Sequence, residues 1–452
     1  MATETSMAAP PPVPLTIEAT GLGVDQIERL LIKTLHAGEA NGVAVADKMR
    51  VPFTLIEPII ERVRNERLVE VKGSTGSGAA SYRYALTDAG RARADQYFSI
   101  NRYVGPVPVP LGAYIDSINA LTAARGYLDR DRLTQGFSHL IIKPDLLEQL
   151  GPAVNANKAV FLYGPPGNGK TVIAEGMGRT VGGDMYMPHA IDVDGSTITM
   201  FDPIVHHPLD KDEDGTSVVV ANTQRDRRWV RISRPVVMVG GELTLDMLDL
   251  TFNPISKFYE APIHLKANGG VFLVDDFGRQ RMRPEDLLNR WIVPLESRFD
   301  YLTLHTGKKF QVPFDVLVVF ATNLNPESLA DEAFLRRIPY KIPVGDPSIE
   351  DFSRIFEMNC RKRKLRFHQV MVAYLLRRHY EPFGRAIRAC HPRDLLDQVT
   401  ALCRYRGIEP VITRDLLDAA CASYFIDSMG TTAPASLPQP RRQPAAARAE
   451  VH

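Results

Sequence analysis

Apolar and polar positions change period several times along the 452 residues, and each change marks an element. Residues 24–35 place Ile27, Leu30, Leu31 and Leu35 on one helical face, and shorter helices are expected over 43–49 and 53–67. Leu68-Val69-Glu70-Val71 then reads as a strand, followed by the flexible turn of residues 73–78. Tyr82-Arg83-Tyr84-Ala85-Leu86 alternates as a return strand, and Thr87 is placed to cap a fourth helix reaching Tyr97. Gly105-Pro106-Val107-Pro108-Val109-Pro110 is punctuated by proline and is expected to be a semi-extended linker.

Further on, three runs are apolar without alternation, as strands buried on both faces are. Ala159-Val160-Phe161-Leu162-Tyr163 leads into a glycine-rich loop, Val271-Phe272-Leu273-Val274 ends in Asp275 and Asp276, and the run 316–322 ends in Asn323. Ala190-Ile191-Asp192-Val193 is expected to be the strand that follows the loop's helix, leaving about 75 residues before Asp275. In that span, 217–220 and 229–232 are expected to form a hairpin around a charged tip. Phe352, Ile355, Phe356 and Met358 open a helical segment over 350–428, in which Pro392-Arg393-Asp394-Leu395-Leu396 begins a late helix.

The chemistry starts at Gly164-Pro165-Pro166-Gly167-Asn168-Gly169-Lys170-Thr171, a full G-x-x-x-x-G-K-[ST] match between a strand and a helix. Glycines let successive backbone N–H groups turn toward phosphate oxygens, and the helix N-terminus adds partial positive charge. Lys170 reaches the β- and γ-phosphates, and Thr171 offers a hydroxyl to Mg²⁺. The expected ligand is ATP with Mg²⁺.

In order and spacing, the loop, the Asp275–Asp276 strand end, Asn323 and the Arg393 helix resemble the Walker A, Walker B, sensor 1 and sensor 2 motifs of AAA+ ATPases. The resemblance covers residues 105–430 and implies a P-loop α/β domain over 105–345, a parallel sheet flanked by helices, with a helical lid over 346–430. The approach Ala267-Asn268-Gly269-Gly270 and the hairpin-like stretch from Tyr301 to Phe314 are similar to the branch with a β-hairpin before sensor 1, which includes MoxR-type chaperones and σ54 activators. Within that likeness Asp275 would hold the Mg²⁺ shell. Asp276 stands where the family has a glutamate that polarises the attacking water, and is shorter by one C–C bond, about 1.5 Å. Asn323 would orient the water or sense the γ-phosphate, and Arg393 would contact phosphates from the lid. Arg336 and Arg337 match the arginine-finger position, with Arg337 the first choice; a finger acting on a neighbour implies a homo-oligomeric ring, most often a hexamer. Phe252 lies about where σ54 activators carry their substrate loop, and either grips a substrate or fills core.

Residues 21–104 resemble a winged helix-turn-helix, a fold that reads DNA or binds protein. Residues 21–100 hold 11 Lys/Arg against 10 Asp/Glu, a net of 11 − 10 = +1. Phosphate neutralisation dominates DNA affinity, so a protein partner is favoured over DNA.

Composition narrows the field further. The formal charge is +1, and no apolar run approaches the roughly 18 residues of a membrane span. No secretory leader is evident, so a cytoplasmic protein is expected, with Cys360, Cys390, Cys403 and Cys421 reduced. Proline-rich residues 1–20 and 431–452 are expected to be disordered. The function these features favour is an ATP hydrolase that remodels a macromolecular partner. The alternatives are a DNA-binding regulator and a scaffold gated by nucleotide.

Overall fold

The computed structural model describes residues 9–209, 225–329 and 332–425, in two compact units that divide after Pro347. At the centre of the first unit is a parallel sheet of five strands. They are β1 Val160–Tyr163, β2 Val236–Val239, β3 Val271–Val274, β4 Leu317–Thr322 and β5 Tyr340–Pro343, laid side by side as β2-β3-β4-β1-β5. Alternate side chains enter two cores, because successive residues of a strand face opposite ways. Phe161, Phe272, Val318 and Phe320 pack around Trp291 on one face. On the other, Leu162, Leu273 and Val319 pack against Ile173 and Met177 of the helix Lys170–Val181. With helices on both faces and the glycine loop following β1, this is a P-loop α/β fold.

One strand assignment from the sequence is corrected. Ala190–Val193 is not the core strand after the loop helix; that strand is β2. Asp194 and Gly195, both at positive φ (49° and 82°), turn the chain straight back onto Ser196–Thr199 as an antiparallel hairpin. A parallel core strand has no such return. Ala190–Val193 instead joins an outlying sheet ordered Thr251–Asn253, Phe258–Glu260, Ser196–Thr199, Ala190–Val193, Val109–Pro110. The additions to the minimal core are therefore two, one before β2 and one between β2 and β3. Trp229–Ser233 pairs with Asp184–Pro188; its expected partner over 217–220 lies outside the described residues.

The hairpin before β4 is Phe299–Thr303 paired with Lys309–Pro313. Phe252 sits on the hairpin between β2 and β3, its ring stacked on His305 at 4.2 Å and tilted against Tyr259 at 4.9 Å. That side chain is held by the second hairpin, as a half-buried packing residue.

Toward the N-terminus, helices Val24–Leu35, Gly42–Met49, Phe53–Asn65 and Asp88–Ile100 surround Ile27, Leu31, Ile56, Val63 and Tyr84. Val69–Ser74 pairs with Tyr82–Leu86, and the Thr87 hydroxyl caps the last helix by accepting from Gly90 N at 3.0 Å. These helices are joined to the outlying sheet along a broad seam. Residues 105–110 are extended, yet Val107 and Val109 are buried, and Val107 N donates to Met49 O at 2.9 Å. Arg228, buried with Asp226, donates to the carbonyls of Thr20 and Pro108. Pro11 O accepts from Asp226 N, so part of the N-terminal stretch is placed too; residues 1–8 lie outside the described residues. The turn of the Phe252 hairpin is clipped to the same helices: Arg102 N donates to Ser256 O at 2.8 Å and Lys257 Nζ to Ser99 O at 2.5 Å.

The second unit begins at Ser348, whose hydroxyl accepts from Asp351 N to cap Ile349–Lys362. Helices Gln369–Leu375, His391–Tyr405 and Arg414–Tyr424 close its core around Phe352, Phe356, Leu396 and Leu417. All four cysteines are free thiols. Residues 431–452 lie outside the described residues. No helix among the described residues is long and apolar enough to cross a membrane.

Candidate nucleotide site

The carboxyl ends of β1, β3 and β4 are neighbours in the sheet, so the three polar strand ends converge although they are far apart in sequence. The loop after β1 is shaped by glycine where no other residue fits. Gly164 has φ 138°, and a Cβ there would lie 2.4 Å from Val344 O. Gly169, at φ 81°, turns the chain into the helix that begins at Lys170. Asn168 Nδ2 donates to Asp346 Oδ1 at 2.7 Å, fastening the loop to the segment after β5.

Lys170 is buried, and its ammonium donates to Gly164 O at 2.9 Å, Pro165 O at 3.0 Å and Asn323 Oδ1 at 2.6 Å. The same Asn323 amide donates through Nδ2 to Asp276 Oδ1 at 3.1 Å. One side chain therefore joins the loop lysine to the second aspartate. Thr171 Oγ1 donates to Asp275 Oδ2 at 2.9 Å, which puts a hydroxyl and a carboxylate within reach of one cation. These donors are all oxygen, as Mg²⁺ prefers, and two protein groups suffice where phosphates and water complete the shell. Among the described residues there is no cluster of three or more His, Cys, Asp or Glu that would serve a softer metal.

Asp276 is exposed and adopts φ 48°, a left-handed conformation costing about 1 kcal/mol for a residue with a Cβ. Its N–H donates to Asp275 Oδ1 at 3.1 Å. Gln280 braces the turn from the other side. Its Nε2 donates to the carbonyls of Asp275 (2.9 Å) and Asp276 (3.2 Å), while its Oε1 accepts from Gly278 N at 2.8 Å. Sequence reasoning missed Gln280. A residue four places beyond an aspartate carries no motif, and only the tight turn Asp276-Phe277-Gly278 hints that something must hold the backbone.

Five residues chosen from the sequence, Lys170, Thr171, Asp275, Asp276 and Asn323, thus form one hydrogen-bonded cluster. Arg336 and Arg337 are placed on the turn leading into β5. Arg336 is exposed, whereas Arg337 is half-buried, donating from Nε to Glu296 Oε1 at 2.6 Å with its guanidinium 5.6 Å from the Phe334 ring. Arg393 lies in the second unit, exposed, with Nε donating to Asp394 Oδ1 at 2.8 Å.

Comparison with known proteins gives limited matches. Residues 348–423 match the model of a family described as a domain of unknown function, DUF8689. A vesicle-fusing ATPase of Dictyostelium discoideum is 44% identical over 54 residues, 12% of this chain and 7% of that protein's length. Among solved structures, NtrX from Brucella abortus in complex with ATP is similar at 16% identity and a TM-score of 0.39, over 61% of this chain and 55% of that one. The Thermotoga maritima RuvB Holliday junction branch migration motor is similar at 14% identity and a TM-score of 0.36, over 63% of this chain and 70% of its own.

Proposed function

We propose that this protein binds ATP with Mg²⁺ at the Gly164–Thr171 loop and hydrolyses it to drive the remodelling of a protein partner. The observation that carries the reading is the continuous path Lys170–Asn323–Asp276, beside the Thr171–Asp275 pair, at the carboxyl edge of the β2-β3-β4-β1-β5 sheet. Backbone N–H groups of the loop and the Lys170 ammonium would bind the β- and γ-phosphates. Thr171 and Asp275 would hold Mg²⁺, which neutralises charge developing on the phosphate oxygens. A water bonded by Asn323 would attack the γ-phosphorus as the bond to the β–γ bridging oxygen breaks. Its proton would pass to the Asp276 carboxylate, directly or through one further water that makes up the missing methylene.

Arg337 is proposed as the finger offered to the next subunit of a ring, with Arg336 as the second candidate. The Glu296 partner would hold it until a more highly charged phosphate competes. Arg393 is proposed to reach the phosphates from the lid. The N-terminal helices, read as a winged-helix module, are proposed to bind protein rather than DNA, because their third helix has little free positive charge. Arg62 pairs with Glu28 and Glu66, each at 3.4 Å, and Arg64 with Glu61 at 3.5 Å. A nucleotide-gated scaffold is the second reading, favoured by the short Asp276 side chain.

ATP turnover per chain across a dilution series, with Lys170→Ala and Arg337→Ala alongside, tests the proposal. Specific activity that rises with concentration and is lost in both variants supports shared sites in a ring. Unchanged turnover in Lys170→Ala would refute the site itself, and ATP binding without turnover at any concentration would leave the scaffold.

A further inference from the structure

The seam between the N-terminal helices and the outlying sheet encloses a cavity of about 180 Å³, well away from the nucleotide loop in sequence and built from other elements. Its volume equals the share of about six water molecules in the liquid. Leu30 and Tyr97 supply apolar wall from the helices, and Tyr103, Val107 and Pro108 supply it from the segment that follows.

Its charged lining is unbalanced. Lys33, 7% exposed, donates from Nζ to Asn101 O at 3.0 Å and to Asn101 Oδ1 at 3.5 Å. An ammonium has three N–H donors, so these two bonds, both to one neutral residue at a helix end, leave one unmet. Arg29, one turn earlier, stands 5.8 Å from the Tyr97 ring. Among the described residues neither cation pairs with a carboxylate. The one acid in the lining, Asp192 across the seam, is already engaged: Oδ1 accepts from Gln26 Nε2 at 3.2 Å and Oδ2 from Gly195 N at 3.1 Å. With all three ionised the lining carries one surplus positive charge; Arg29 is exposed, but the Lys33 ammonium is buried, and a buried charge without an opposite partner is costly.

We propose that this cavity is a binding site for a small monocarboxylate, held by Lys33 and Arg29 with its apolar body against Tyr97 and Tyr103. A single negative charge balances the lining. A phosphate dianion would overshoot it beside Asp192, and the volume, partly open to solvent where Arg29 and Ile100 line it, suits a free small molecule of benzoate or propionate size. Because both the helices and the sheet contribute walls, such a ligand would tighten the seam. Burial, with Arg29 adding to it, lowers the Lys33 ammonium to about 8. The other titratable groups facing it are Arg29, Asp192, Tyr97 and Tyr103, and burial holds Asp192 above its usual value. The charged ammonium is the binding form, so affinity should fall about fivefold from pH 8 to pH 9 as Lys33 deprotonates.

Calorimetric titration of the full chain without nucleotide tests this, using benzoate, propionate and inorganic phosphate as probes. The expected result is one saturable carboxylate site per chain, weakened at least about tenfold in Lys33→Met and in Arg29→Ala, with the stated loss above pH 8. Arg29 is solvent-exposed, so its variant reads the site even if Lys33→Met fails to fold. Absence of binding by both carboxylates, unchanged affinity in Arg29→Ala, or tighter binding of phosphate would each overturn the proposal. The readout is independent of ATP turnover, so failure here leaves the hydrolase reading standing, and the reverse.

Discussion

Asp276→Asn is the substitution that isolates the proposed chemical step. Asparagine keeps an Oδ1 that can accept from Asn323 Nδ2, a bond of 3.1 Å, and it adopts the left-handed φ of 48° readily. What is lost is the negative charge that takes the proton from water. General-base catalysis contributes 10²–10⁴-fold, or about 3–5 kcal/mol at 1.36 kcal/mol for each factor of ten. The groups proposed to bind phosphate and Mg²⁺ keep their bonds, Lys170 to Gly164 O and Thr171 to Asp275. Nucleotide affinity should therefore stay within about threefold of wild type, since none of the binding donors changes. Single-turnover phosphate release, measured beside the affinity for a fluorescent ATP analogue, separates the two effects. A variant that binds normally and still hydrolyses within about fivefold of wild type would refute the assignment of Asp276 as the base. Asp276→Glu is the companion: if the missing methylene limits the rate, glutamate should raise turnover.

Three further outcomes are expected. Gln280→Ala should lower kcat about tenfold with KM nearly unchanged, because it removes the brace on the Asp276 backbone and no phosphate contact; an equal effect on both constants would count against it. Asp226→Asn leaves the buried Arg228 guanidinium without its charged partner and should cost about 3–5 kcal/mol in urea unfolding, a loss under about 1 kcal/mol arguing against a structural seam. Burial alone would raise the Asp300 carboxyl, but hydrogen bonds from His264 and Arg290 outweigh it and hold the group below its ordinary 3.8. Its stabilisation is therefore present at neutral pH and lost as pH falls through the depressed folded value. The urea midpoints of wild type and Asp300→Asn should converge below about pH 4, and a constant gap would refute this.

Much of the carboxyl end of the parallel sheet was legible because local chemistry dictates it. Gly164 and Gly169 occupy backbone conformations that other residues resist, and runs such as 271–274 are too uniformly apolar to be anything but doubly buried strands. Ala190–Val193 was misassigned because it is as short as β2, Val236–Val239, and comes earlier in the chain after the loop helix. Only the turn at Asp194-Gly195 distinguishes a hairpin from a crossover strand, and two residues speak faintly. Gln280 stayed invisible since its amide serves backbone carbonyls, which leave no mark on residue type. The linker reading of 105–110 identified the extended conformation but not its burial, because proline fixes φ without saying what the chain lies against.

The clip between the Phe252 hairpin and the N-terminal helices bears on how force would be passed on if the proposed remodelling activity holds. Arg102 N bonds across that joint to the Ser256 carbonyl, backbone to backbone, and the Lys257 ammonium adds a second bond to the helix carbonyl of Ser99. A tethered domain would take up the first ångströms of any stroke as slack. Here the hairpin's turn and the end of the helix Asp88–Ile100 share a joint, so under the proposed function the helices would be the handle of a lever whose short arm is the hairpin.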